Sequence, residues 1–226
     1  MQTRGFPLAA VLSLALAACG SDVPDPSSAA SVTSASASPP AASAGGIPAG
    51  AVLQPSDVRD AEAAPLDQGL HAHVRPLRPC GDDRYPSDET RTDAVAMRFI
   101  VPGAEANSTP SVVTEFVGLH SSGGAAAQFA EISAALQKCP GGLGSGADER
   151  RWTVLDSDDD SMLVRIDQRY AYADQTPETV SNFAALSRVG DAIVVVADLG
   201  WENMGGSEDL VRSLITKAEE RASTIG

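Results

Sequence analysis

The chain has 226 residues, 16 Lys+Arg against 30 Asp+Glu, and a net charge of −14 at pH 7. A balance this acidic argues against nucleic acid as a partner, since that affinity comes from cationic contacts to phosphates. It also leaves the protein repelled by anionic lipid headgroups.

Residues 1–18 read as a secretory signal: Arg4 and the terminal amine supply the positive end, and Phe6 to Ala18 is apolar apart from Ser13. That run of 13 residues is short of the ~20 needed to span a hydrocarbon core. It ends in Leu16-Ala17-Ala18-Cys19, which resembles the lipobox of bacterial lipoproteins. The resemblance implies cleavage before Cys19, diacylglycerol attachment to its sulfur, and anchoring by acyl chains that contribute ~0.8 kcal/mol per buried CH₂. From residue 19 to residue 50 the chain is mostly Ser, Ala, Pro and Gly, which cannot build a core. It reads as a tether with a reach of ~30 Å. Residues 51–226 are one domain by length. Lysine is confined to Lys138 and Lys217, a bias towards arginine that points to a high-GC bacterium.

Within the domain, "AVLQPSDV" (51–58) predicts a helical turn with Ser56 as its cap, and residues 60–92 predict mostly loop. Ala94 to Val101 alternates as a strand, with Met97, Phe99 and Val101 on one face, and Val112 to Leu119 is a second strand. Ala125 to Cys139 switches to helical period, with Phe129, Ile132, Leu136 and Cys139 on one side, and Pro140-Gly141-Gly142 stops it. A hairpin follows, Trp152 to Leu155 with Ser161 to Tyr172. Its second arm faces Met162, Val164 and Ile166 one way and Arg165, Asp167 and Arg169 the other. Phe183 to Val189 and Ala192 to Leu199 form another hairpin around Gly190-Asp191; its second arm is apolar on both faces and so belongs at the centre of the sheet. Ser207 caps a last helix with Leu210, Val211, Leu214, Ile215 and Ala218 on its apolar side. The fold class is α+β: a single antiparallel sheet of about six strands, two main helices and one disulfide.

With Cys19 assigned to lipid, Cys80 and Cys139 remain, and outside the cytoplasm two such thiols are expected to pair. The alternative is two reduced cysteines, Cys139 packing on its helix face. "AVLQPSDV", Cys80 before the first long strand, the helix "AAAQFAEISAALQKC", the hairpin "ALSRVGDAIVVVADLG" and a closing amphipathic helix together resemble one known family. That family is the extracellular sensor domain of mycobacterial receptor-type serine/threonine kinases, which also occurs on stand-alone actinobacterial lipoproteins. The resemblance implies an α+β sandwich-like fold, a cleft for an unidentified ligand and no catalysis. The kinase version has two disulfides, whereas this chain can form only one, between Cys80 and Cys139.

No catalytic or cofactor motif stands in the sequence. "DSDDDSMLVRID" places Asp156, Asp158, Asp160 and Asp167 at calcium-loop positions one, three, five and twelve, but Ser161 replaces the required glycine and a strand follows, so a solvated hairpin tip is expected. His71 and His73 lack a third ligand at any defining spacing, and no metal is expected. Gly142 to Ala147 mimics a dinucleotide loop but follows a helix rather than a strand. Ser145 is not in a nucleophile elbow, and His120-Ser121-Ser122 sets base and hydroxyl too close in sequence. No cofactor is expected.

The stretch that could bind something is "DLGWENMGG": Trp201 and Met204 sit in a glycine-rich loop after the central strand. Tyr170 and Tyr172 are further candidates, and Arg165 and Arg169 suit an anionic ligand. Together these features predict a membrane-anchored, extracytoplasmic, non-enzymatic sensor or ligand-binding lipoprotein on the outer face of the cytoplasmic membrane. The alternative is a cell-envelope protein-interaction module acting on a partner enzyme or receptor. A third reading, an envelope hydrolase, requires a site that no sequence pattern marks.

Overall fold

A computed structural model describes residues 46–66, 77–81, 84–105, 108–144, 149–170 and 176–225. Cys19, His71, His73, Tyr172 and the loop at 145–147 lie outside the described residues, as does the side chain of Tyr170.

Seven strands form one antiparallel sheet: β1 (Glu62–Pro65), β2 (Arg91–Val101), β3 (Ser111–His120), β4 (Arg150–Ser157), β5 (Ser161–Tyr170), β6 (Glu178–Val189) and β7 (Ala192–Asp198), in the spatial order β1-β2-β3-β7-β6-β5-β4. Two α-helices, α1 (Gly124–Lys138) and α2 (Glu208–Ala222), pack on its opposite faces. The α+β class with a single sheet is therefore correct, with seven strands rather than about six.

The seventh strand is β1, in a segment expected to be loop. "EAAP" carries no strand signature; it forms because the outer edge of β2 offers a ladder, and Pro65 is tolerated on an edge strand. The 3₁₀ turn Pro86–Thr90 is a second piece of order in that segment. A further correction concerns Ser56. The turn Pro55–Val58 is 3₁₀, and it is Asp57 whose carboxylate accepts the Gln54 N–H at 2.8 Å, so Ser56 caps nothing.

β7 lies at the middle of the sheet, and all seven of its residues are buried. That explains why it is apolar on both faces: Val194 and Val196 enter one core, Ile193, Val195 and Ala197 the other. On the first face β7 meets Met97, Phe99, Val101, Val113 and Val117 from β2 and β3, with Leu214 and Ala218 of α2. On the second, Phe129, Ile132 and Leu136 of α1 pack on Met162, Val164 and Ile166 of β5. The predicted facing of these residues is the observed one.

The first core also buries Ile47, Ala51, Val52, Leu53 and Val58, a strap that crosses the sheet beside α2. It is fastened by polar contacts. Ile47 N–H donates to Asp93 at 3.1 Å, Leu53 N–H to Glu115 at 2.8 Å, and Lys217 Nζ to the Asp57 carbonyl at 2.8 Å. Packing therefore reaches back to Ile47, ahead of position 51. Cys80 and Cys139 are joined by a disulfide, which ties the stretch 77–81 to the end of α1. No helix among the described residues is long and apolar enough to cross a membrane.

Candidate functional site

β7 ends in an acid. Asp198 is buried, and its carboxylate accepts the hydroxyl of Ser111, the Gly200 N–H at 2.9 Å and the Ser207 N–H at 2.8 Å. One side chain thus fixes the start of β3, the loop after β7 and the N-terminus of α2. The loop itself closes in a tight turn, with Trp201 and Met204 exchanging backbone hydrogen bonds at 3.1 and 2.9 Å. Gly200 has φ +66°, and a Cβ there would lie 1.9 Å from the Met204 carbonyl oxygen, so the turn requires glycine. The result is a rigid presentation of two large side chains: Trp201 is half-buried and Met204 is 51% exposed.

These two face a cleft of about 400 Å³, walled also by the β2–β3 connection, with Arg59, Glu105, Ser111 and Leu210 on its lining. Trp201, Met204 and Leu210 supply apolar area, Arg59 and Glu105 one charge of each sign. The guanidinium of Arg59 donates to the Pro102 carbonyl at 3.4 Å, bridging the strap to the β2–β3 connection. Trp201 and Met204 thus line one cleft, together with Arg59, Glu105 and Asp198, which the sequence had not singled out.

Arg165 and Arg169 lie elsewhere. They belong to β5 and flank Asp167 on the sheet face that carries α2, away from the cleft lining. Asp167 is buried too. Burial alone would raise its pKa, but the hydrogen bonds from Ser181 and Arg151, with the charges of Arg165 and Arg151, hold it below the ordinary carboxylate range. The backbone of Tyr170 pairs with Glu178.

No protein-family model and no curated protein matches the chain. Among solved structures it is similar to the extracellular domain of PknH from Mycobacterium tuberculosis, at 13% identity and a TM-score of 0.44, over 75% of this chain and 93% of that one.

A second polar cluster lies under α1. His120 is buried; its Nδ1 is 2.9 Å from the Thr90 hydroxyl and its Nε2 3.1 Å from Gln128 Oε1. Gln128 donates in turn to Asp88 at 2.9 Å, and Asp88 is paired with Arg78 and Arg91. Ser87 donates its hydroxyl to Glu131. Burial, and then the charge of Arg91, push the His120 pKa down. Ser87 is buried as well, and this assembly of imidazole, hydroxyls and carboxylates packs the Pro86–Thr90 turn onto α1.

At the β4–β5 hairpin tip Asp158 accepts the Asp160 N–H at 2.9 Å and both the N–H and the hydroxyl of Ser161, which lowers its pKa. Asp160 pairs with Arg188 and Asp156 with Arg212, while Asp167 sits on the strand with its own arginines. The four carboxylates do not converge. Millimolar calcium should therefore leave the melting temperature unchanged; a clear calcium-dependent rise in a thermal scan would reverse this reading.

Proposed function

We propose that the chain is a lipid-anchored, extracytoplasmic and non-enzymatic lipoprotein whose domain binds a small ligand in the cleft beside Trp201. The observation that carries the reading is the cleft itself. An aromatic ring and a thioether stand at its edge on a turn braced by buried Asp198, and the hydroxyl–carboxylate contact on its lining, Ser111 with Asp198, is part of that bracing. The lipobox at Cys19 and the Ser/Ala/Pro tether supply the address. A ligand with an apolar body suits Trp201, Met204 and Leu210.

The test is native mass spectrometry of the full chain extracted from the membranes of an actinobacterial host. A small molecule should travel with the wild-type protein, and Trp201→Ala should lower its occupancy about tenfold, the effect of ~1.4 kcal/mol of lost contact. Cys19→Ser should move the protein from membrane to medium. An identical ligand load in Trp201→Ala, or a hydrolytic activity abolished by one point change, would sink the proposal. A second reading, a module that docks an envelope protein, draws on Val154 and Leu155, which are exposed on the edge strand β4. A co-purifying polypeptide in place of a small molecule would select it.

A further inference from the structure

We propose that Arg151, Arg165 and Arg169, organised by Asp167, form a second site that binds a phosphate monoester. It shares no residue with the cleft and does not rest on that reading.

Alternation along β5 puts Arg165, Asp167 and Arg169 on one face, and the β4–β5 register sets Arg151 directly opposite Asp167. Arg151 thus has Arg165 and Arg169 as its two diagonal neighbours, at ~7–8 Å, within reach of long side chains. Asp167 accepts Arg151 Nε at 3.1 Å and Nη2 at 2.8 Å on one oxygen. On the other it accepts the Ser181 hydroxyl at 2.7 Å and faces Arg165 Nε at 3.2 Å. Arg151 is held by two hydrogen bonds on its Nε side, whereas Arg165 is held by ion pairing alone, its Nε having no hydrogen-bond partner among the described residues. The Arg151 and Arg165 side chains are 46% and 37% exposed, and Arg169 is exposed.

Neutralising one buried carboxylate takes one guanidinium. Here there are two, with a third alongside, so the cluster carries a surplus of two positive charges in a chain of net charge −14. Among the described residues Asp167 is the only carboxylate paired with these three arginines, while Asp156 and Glu208 are paired with Arg212. A surplus of two matches a dianion, and forked N–H donors approaching from several directions suit the three terminal oxygens of a phosphate monoester better than one planar carboxylate. Asp167 is then a positioning residue: it takes away one unit of charge but aims the donors.

That trade-off gives a test in which charge and geometry predict opposite results. In the full chain, the arginine Nε–H resonances of Arg151 and Arg165 should shift saturably with glycerol 3-phosphate at constant ionic strength. Arg165→Gln and Arg169→Gln should each weaken binding about tenfold. Asp167→Asn raises the net charge by one, yet should bind less tightly than wild type. Vesicles of phosphatidylcholine containing phosphatidic acid form the second arm: binding to these alone assigns the phosphate to a lipid headgroup, and binding to glycerol 3-phosphate assigns it to a soluble ligand. Absence of saturable shifts in both arms overturns the proposal, as does tighter binding by Asp167→Asn. Should Asp167→Asn fail to fold, exposed Arg169 decides alone, and undiminished binding by Arg169→Gln overturns it.

Discussion

Replacing Glu115 by glutamine should raise the melting temperature strongly at pH 9 and hardly at all at pH 4. Glu115 lies on β3 between Val113 and Val117, wholly inside the first core. One carboxyl oxygen accepts the Leu53 N–H at 2.8 Å; the other has no hydrogen-bond partner among the described residues. Desolvation dominates and pushes the pKa from 4.5 up to about 8, against the lowering effects of the Leu53 N–H and the Arg221 charge, while Asp57 adds to the rise. A carboxyl whose pKa is raised on folding binds more protons folded than unfolded. Its stabilising contribution is complete below pH 4.5 and is lost as pH climbs to about 8. That span corresponds to a ceiling of about 5 kcal/mol. At ~2–4 °C per kcal/mol for a domain of this size, the gain at pH 9 is on the order of 10 °C. Glutamine keeps an acceptor for the Leu53 N–H and never ionises. His120 tilts the other way: its lowered pKa gives stability that is present above pH 6.5 and lost as pH falls below it. Because His120 is common to both proteins, the difference between the two melting curves isolates Glu115. Parallel curves from pH 4 to 9 would show that Glu115 ionises in the fold at its ordinary pKa.

Glu115 also marks where reading from sequence alone stops. Strand periodicity located β2, β3, β5, β6 and β7, the facing of Met97, Phe99 and Val101, and the central place of β7, because each signal is local and repeated. The same period places Glu115 in step with Val113 and Val117, and Asp198 in step with Val194 and Val196. Those two acids were therefore legible as buried, and a buried acid must find donors. Their donors were not legible: the Leu53 amide and the Ser111 hydroxyl come from distant parts of the chain, and the Ser207 amide arrives only through the turn at Trp201–Met204. The cleft follows the same rule. Trp201 and Met204 announce themselves as a loop after an apolar strand, whereas Arg59 and Glu105 reach it only through the packing of the strap and the β2–β3 connection. Arg151 escaped notice because its place beside Asp167 depends on the β4–β5 register, which no residue of either strand dictates by itself.

Removing the disulfide should cost about 4 kcal/mol and loosen one corner of the domain while leaving the sheet intact. Cys80 and Cys139 are 59 residues apart, and closing a loop of that length removes about 4 kcal/mol of chain entropy from the unfolded state. The cost falls unevenly. Residues 86–90 have their own fastening to α1 and β3, since Gln128 and Glu131 of α1 hold Asp88 and Ser87, and His120 of β3 holds Thr90. Ahead of them, Arg78 is paired with Asp88, the Tyr85 hydroxyl donates to the Leu77 carbonyl at 2.8 Å, and Leu77 is buried at the margin of the second core with Tyr85 packed against it. To these contacts the disulfide adds the covalent tie between Cys80 and the C-terminal end of α1. The double variant Cys80→Ala/Cys139→Ala should therefore melt roughly 8–16 °C lower. In native-state hydrogen exchange, the amides of residues 77–81, 84 and 85 should open well before those of β3 and β7, which stay tied to global unfolding. Equal loss of protection across the whole sheet would mean instead that the corner and the core unfold as one unit, and that the polar cluster under α1 cannot hold the Pro86–Thr90 turn without its covalent neighbour.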